Sequence, residues 1–256
     1  MLSVEESAVL ALDGTDKELF PHLPYILQDL WEIGSDLDAI IKAVRKHNVN
    51  PFALQLLDLG CGKGAVSIRV AEALGCKCFG IDAIEEFIRE AEQKAAEHKV
   101  DELCTFVVGD IREMIDSAAR YDIVVLGAIG PVFGDYLSTL TRTSQVLEKD
   151  GIIIIDDGYI PAESDYTHSQ ILRRDTILKQ ISYAGMRLVD EIIIQPENIK
   201  SSDDYIFEKI ESRCKELICK YPQKKHFFEG YIEKQRVEND VLENRIVCST
   251  IVIKKQ

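Results

Sequence analysis

The sequence predicts an α/β protein: a doubly wound, seven-stranded, mostly parallel sheet of Rossmann-like type under a helical cover. Three observations predict it. Apolar strand-like runs alternate with amphipathic stretches of about ten to fifteen residues, the pattern of βαβ units with right-handed crossovers. Some of these runs are apolar without interruption, as in "IIII" at 152–155, which fits strands covered by helices on both faces. A glycine-rich turn, "DLGCGKGA", follows the first run directly.

Taken in order, the five central strands are expected at 54–59, 77–82, 103–108, 122–127 and 151–156, with helices at about 64–74, 84–98, 111–119 and 133–148. In the second of these helices Ile84, Phe87, Ile88, Ala91 and Ala95 keep helical spacing against a charged opposite face. Two more strands are read in "MRLVDEIIIQ" (186–195) and "NRIVCSTIVIKK" (244–255). Residues 1–50 form a cover with one helix in "LPYILQDLWEIG" and another in "SDLDAIIKAVRKH", where Ser35 is the expected N-cap and Asp38 follows three residues later. The core spans 51–195, a helical insertion that could act as a lid spans 196–242, and 243–256 returns as the last strand. In the insertion Ile206, Ile210, Cys214, Leu217, Ile218 and Tyr221 make one stripe before Pro222, and Phe227, Phe228, Tyr231 and Ile232 make another.

Bulk properties exclude several function classes. With 30 basic against 44 acidic residues the net charge is −14, which repels nucleic acid and anionic membranes. The start, "MLSVEESAVLALDG", carries acids where a signal peptide needs cations, and no apolar run reaches spanning length. Seven cysteines without a C-x-x-C pair point to reduced thiols in a cytoplasm.

The chemistry concentrates at the glycine turn. A phosphate-binding loop fails, because Gly62-Lys63 is followed by Gly64 and position 57 is leucine. A dinucleotide pattern is nominally met by Gly60, Gly62 and Ala65, with Asp82 placed to hold a ribose. Asp58 opposes that reading, since its carboxylate would repel a pyrophosphate in a poorly solvated turn. A cofactor carrying a sulfonium and an ammonium would welcome the same charge.

The run Asp58-Leu59-Gly60-Cys61-Gly62-Lys63-Gly64 resembles the first motif of class I S-adenosylmethionine-dependent methyltransferases, and the resemblance covers roughly residues 50–195. It implies a seven-stranded methyltransferase fold with S-adenosylmethionine as cofactor. It implies further that Asp82 bonds the ribose hydroxyls, that Ala83 and Ile84 line the adenine, and that Asp110, with Ile111 beside it, accepts from the adenine amino group. Gly127 and its loop would flank the methionine portion and the reacting methyl. The resemblance also expects the last strand antiparallel at the sheet edge.

Acids at three successive strand ends could bind an ammonium, a diol and an amine, each charge-assisted bond contributing about 1.5–3 kcal/mol. Methyl transfer rests mainly on positioning, and a base is needed only if the accepting atom arrives protonated. Base candidates are Tyr159, Asp157, Tyr166 and His168, all on or after the segment leaving the fifth strand. Asp156 and Asp157 imitate a magnesium-binding acid pair, but the loop Gly127-Ala128-Ile129-Gly130-Pro131 lacks the third carboxylate, so no metal is expected. The expected acceptor is a small molecule; "GAIGPVFGDY" lacks the N-P-P-Y motif of amide and base-amine methylating relatives. A non-catalytic S-adenosylmethionine sensor and an NAD-type oxidoreductase are the competing classes.

Overall fold

The computed structural model describes residues 2–47 and 53–256. The expected boundary between cover and core, at 50/51, lies outside the described residues. Strands β1 (Gln55–Leu59), β2 (Lys77–Asp82), β3 (Cys104–Val108), β4 (Tyr121–Gly127), β5 (Leu147–Tyr159), β6 (Met186–Ile193) and β7 (Val247–Lys255) form one sheet. Its order is β3-β2-β1-β4-β5-β7-β6. The first five strands pair in parallel, and β7 runs antiparallel to both β5 and β6.

The last strand is therefore not at the edge. Burial explains why: Ser249, Thr250, Ile251, Val252 and Ile253 of β7 are all buried and need a strand on either side. β6 carries Arg187, Asp190 and Glu191 among half-buried positions, and such charges blunt an edge against further pairing.

The N-terminal segment forms helices α1 (Val4–Ala11), α2 (Leu23–Ile26) and α3 (Leu37–His47). The long helix expected from "LPYILQDLWEIG" shrinks to the single turn of α2, and residues 27–36 run on irregularly. Asp36 rather than Ser35 caps α3, its Oδ1 accepting from Ala39 N at 2.9 Å. α1 carries a signature the sequence reading passed over, a capping box in which Ser3 and Glu6 satisfy each other's backbone N–H groups.

Helices α4 (Ala65–Leu74), α5 (Glu85–Glu97), α6 (Ile111–Met114), α7 (Tyr136–Thr143) and α8 (Arg174–Tyr183) follow successive strands and cover the sheet. The insertion is a helical hairpin of α9 (Pro196–Lys220) and α10 (Lys225–Asn244), broken at Pro222.

Alternation along the strands divides the core. Leu56, Val125, Ile152, Ile154 and Val252 face one apolar cluster; Leu57, Leu59, Val124, Ile153 and Ile251 face the other. A third cluster lies apart from the sheet. It joins Val9, Leu19, Leu23 and Ile26 of the N-terminal segment to Ile210, Cys214, Leu217 and Phe228 of the insertion, over Ile84 and Phe87 of the β2–α5 junction. The cover and the insertion thus share one core.

Candidate functional site

Strand order reverses between β1 and β4, the switch point at which open α/β sheets bind ligands. A cavity of about 960 Å³ opens there, walled by the strand ends, by residues 27–38, and by α1, α9 and α10. Asp58, Gly60, Gly62, Asp82, Ala83, Asp110, Ile111 and Gly127 all line it, as does His168. Gly64 and Tyr159 do not.

The turn between β1 and α4 is built on glycine conformations. Gly60, Gly62 and Gly64 adopt φ of +74°, +53° and +75°, a region that side chains with a Cβ avoid. Their surroundings separate their roles. A Cβ on Gly64 would meet Phe106 Cζ at 2.8 Å and Ala91 Cβ at 2.9 Å, so this glycine lets α4 pack on the sheet. A Cβ on Gly60 would meet Ile129 Cγ2 at 2.6 Å, whereas one on Gly62 would meet nothing within 4 Å and point into open space. Gly62 is where a ligand can touch backbone.

Three acids line the cavity at the ends of β1, β2 and β3. Asp58, at the end of β1, is buried at 2% exposure and accepts from Ser67 Oγ at 2.7 Å; burial pushes its carboxyl up to about 6. Asp82, at the end of β2, accepts from Gly62 N and from Ile84 N, each at 2.9 Å, and burial raises its carboxyl as well. Asp82 thereby holds the glycine turn in place. Asp110 follows β3 and caps α6, accepting from Arg112 N at 2.8 Å. The Arg112 guanidinium grips both Asp110 oxygens, the closest at 2.7 Å, and holds that carboxyl below the usual range. Arg112 Nη1 reaches on to the Leu2 carbonyl and Ser7 Oγ of the α1 region. Sequence reasoning assigned Asp110 without this partner two residues away.

At the other end of the cavity, Asp156 and Asp157 are neighbours on β5 and their side chains point to opposite sides. Asp156 accepts from Asp36 N at 2.6 Å and from Thr250 Oγ1 at 3.0 Å, and burial pushes it up to about 6. Asp157 accepts from the Tyr136 hydroxyl at 2.9 Å and from Gly158 N at 2.7 Å; both Tyr136 and Asp157 reach the cavity wall. Desolvation raises Asp157 and also raises the Tyr136 phenol, so the tyrosine stays protonated as donor. Among the described residues no group of three or more His, Cys, Asp and Glu is placed to hold a metal.

Of the other base candidates, His168 and Tyr159 fare differently from Asp157. His168 Nδ1 accepts from Gln170 N at 3.3 Å and Ile171 N at 3.2 Å, so the neutral ring carries its hydrogen on Nε2 and can donate there but not accept. Tyr159 is buried beneath Arg174 in a small adjoining pocket of about 20 Å³ that shares Tyr136 and Asp157 with the cavity but does not bring Tyr159 to its wall. Its position three residues past the strand end expected at 156 is the reason: β5 runs on to residue 159 and carries the side chain away from the cavity.

A glycine turn at the switch point, three strand-end acids and an antiparallel β7 define the methyltransferase fold that the motifs resemble. Residues 53–228 match the family model described as a methyltransferase domain, and the chain belongs to that family. It is similar to YqeM of Bacillus subtilis (strain 168), with 29% identity over 143 residues, 54% of this chain and 51% of that protein. It is also similar to the nocamycin O-methyltransferase of Saccharothrix syringae, with 31% identity over 113 residues, 43% of this chain and 40% of that protein. The chain thus spans about half the length of these curated relatives. Further relatives bear the names of both small-molecule and protein methyltransferases. Among solved structures, a SAM-dependent methyltransferase from Thiobacillus denitrificans in complex with S-adenosyl-L-homocysteine superposes with a TM-score of 0.75 at 15% identity, covering 92% of this chain and 98% of that one.

Proposed function

We propose that this chain is an S-adenosylmethionine-dependent methyltransferase acting on a small-molecule acceptor. The observation that carries the reading is the convergence of Asp58, Asp82 and Asp110 with the open face of Gly62 on one cavity. The residues suit the cofactor chemically. Asp58, buried and in no ion pair among the described residues, offers a counter-charge to an ammonium; Asp82 offers a carboxylate to a diol; Gly62 offers close approach to backbone. A pyrophosphate would instead meet the buried Asp58, which argues against a dinucleotide.

When bound, S-adenosylmethionine would supply a methyl carbon activated by its sulfonium. This chain's residues position and desolvate the reactants. The loop from Gly127 to Pro131 and residues 31–38 line the site beside the strand ends. Asp157 Oδ1 and Oδ2 retain lone pairs beyond those engaged by Gly158 N and Tyr136, and can take a proton from an acceptor O–H or N–H. His168, which also lines the cavity, can donate to the acceptor through Nε2.

Cavity size supports a small acceptor. A volume of about 960 Å³ lies at the upper end of small-ligand sites, about 300–1,000 Å³. The nocamycin enzyme's name points the same way. The net charge of −14 supports neither a nucleic-acid nor a membrane partner. No disulfide joins the seven cysteines, which supports a cytoplasmic setting.

The test is calorimetry with S-adenosylmethionine, S-adenosylhomocysteine and NAD, followed by assay of S-adenosylhomocysteine release across a panel of phenols, amines, thiols and carboxylic acids. Binding of the first two and acceptor-dependent release support the reading. Binding without release across the panel favours a sensor, and binding of NAD alone overturns the cofactor.

A further inference from the structure

Lys63, between the second and third glycines of the turn, is buried at 1% exposure, and most buried lysines are a cost to the fold. This one is fully engaged. Its ammonium donates to the Leu27 carbonyl at 2.8 Å, pairs with Glu90 at 2.8 Å, and lies 5.6 Å from the centre of the Phe87 ring. Its own carbonyl accepts from Trp31 Nε1 at 3.0 Å. Lys63 therefore grips the segment 27–36 at two points, side chain to Leu27 and backbone to Trp31. The far end of the same segment is held by the bond from Asp36 N to Asp156, and Gly34 passes so close to the β4 loop that a Cβ there would sit 3.2 Å from Ala128 Cβ. Segment 27–36 is thus a strap across the cavity, fastened to the glycine turn at one side and to the end of β5 at the other.

We infer that Lys63 is a positioning residue that couples the glycine turn to this strap, so that ordering of the turn by the cofactor and closure of the strap over it are one event. Two features separate this from a purely packing role. Apolar burial of Leu23, Ile26, Leu27 and Leu30 already anchors the start of the segment and the turn before it, independently of the lysine's polar contacts. The polar contacts of Lys63 fall instead where the strap crosses the turn, and both Leu27 and Trp31 line the cavity. A side chain of four methylenes is what spans from the turn past Phe87 to the Leu27 carbonyl; serine or threonine at this position would not reach.

The inference rests on the cofactor reading above. The experiment is hydrogen exchange of the full chain with and without saturating S-adenosylhomocysteine, for wild type, Lys63→Met, Lys63→Arg and Trp31→Phe, with the dissociation constant measured for each. Trp31→Phe keeps an aromatic side chain while removing the Nε1–H and its bond to the Lys63 carbonyl along with the five-membered ring, and decides the matter if Lys63→Met does not fold. The expected result is that the ligand slows exchange in wild type at 27–36, 82–84 and 110–112. In Lys63→Met and Trp31→Phe it slows 82–84 and 110–112 but loses at least half of the slowing at 27–36. Affinity falls about tenfold in Lys63→Met, the scale of one lost charge-assisted bond, and Lys63→Arg recovers part of both effects. Equal slowing of the strap in wild type and variants would overturn the role of Lys63 while leaving the cofactor reading intact. No slowing anywhere in wild type would overturn the cofactor reading, and this inference with it.

Discussion

Ser67 Oγ lies 2.7 Å from Asp58 Oδ2 and donates its hydrogen to it, tying the first turn of α4 to the acid that ends β1. This bond lowers the carboxyl only in part; burial prevails, and Asp58 is pushed up to about 6, as is Asp156. Each binds a proton more readily folded than unfolded. Folding therefore takes up protons between about pH 4 and pH 6, and stability falls as pH rises through that window, by about 2–3 kcal/mol for each acid. Asp110, held low by Arg112, acts in the opposite sense only below about pH 4. Melting curves of the ligand-free chain should show a lower midpoint at pH 7 than at pH 5. Asp58→Asn should flatten the slope, and a slope unchanged in that variant would remove Asp58 as its source.

Gly60 and Gly62 separate folding from binding. Gly60→Ala places a methyl 2.6 Å from Ile129 Cγ2 at φ +74°, and should cost about 2–4 kcal/mol of stability by urea denaturation. Gly62→Ala meets no atom within 4 Å and pays only for its positive φ, about 1–2 kcal/mol. Its methyl enters the cavity, so S-adenosylhomocysteine affinity should fall more than tenfold in a folded protein. A folded Gly62→Ala of native affinity would place the cofactor elsewhere.

Asp82→Ala removes the acceptor of Gly62 N and Ile84 N together with the proposed partner of the ribose. Affinity for S-adenosylhomocysteine, measured by calorimetry, should weaken by about 1.5–3 kcal/mol. Native affinity in this variant would show that the ribose is held by other groups.

Asp157→Asn keeps shape and loses basicity. For an acceptor whose reacting atom arrives protonated, turnover should drop about 10²–10⁴-fold with cofactor affinity unchanged. Tyr136→Phe removes the donor to Asp157 Oδ2 and should shift the acidic limb of the pH–rate profile upward, because the carboxylate loses a bond that favours its charged form. Native turnover in Asp157→Asn would leave positioning alone to explain the rate.

Breaking the Arg112–Asp110 ion pair is a test of α1. Arg112→Ala strips Asp110 of its counter-charge and α1 of two bonds, and should lower stability by about 1–3 kcal/mol while speeding proteolysis near the N-terminus. Proteolysis at the native rate would mean that α1 is held by its apolar contacts.

The parts of the site legible in the sequence are those whose chemistry is local. Acids at strand ends and glycines at positive φ are fixed by residue type and spacing, so Asp58, Asp82, Asp110, Gly60 and Gly62 could be picked out and all reach one cavity. α1 was equally legible through its Ser3–Glu6 capping box. Arg112 was visible beside Asp110, but nothing in spacing shows that its guanidinium folds back on that acid and forward to Ser7, 105 positions away.

Periodicity and the glycine turn determined by themselves that this chain folds as a doubly wound sheet with a candidate site at the end of β1, because both follow from interactions within a few residues. Tertiary structure alone decided that β7 lies inside the sheet, that Tyr159 turns away, that Asp157 meets Tyr136, and that Lys63 reaches Leu27. Each of those outcomes pairs residues many positions apart, and the free energy that selects them, burial of a strand on both sides or of a charge among its partners, exists only once the chain is packed.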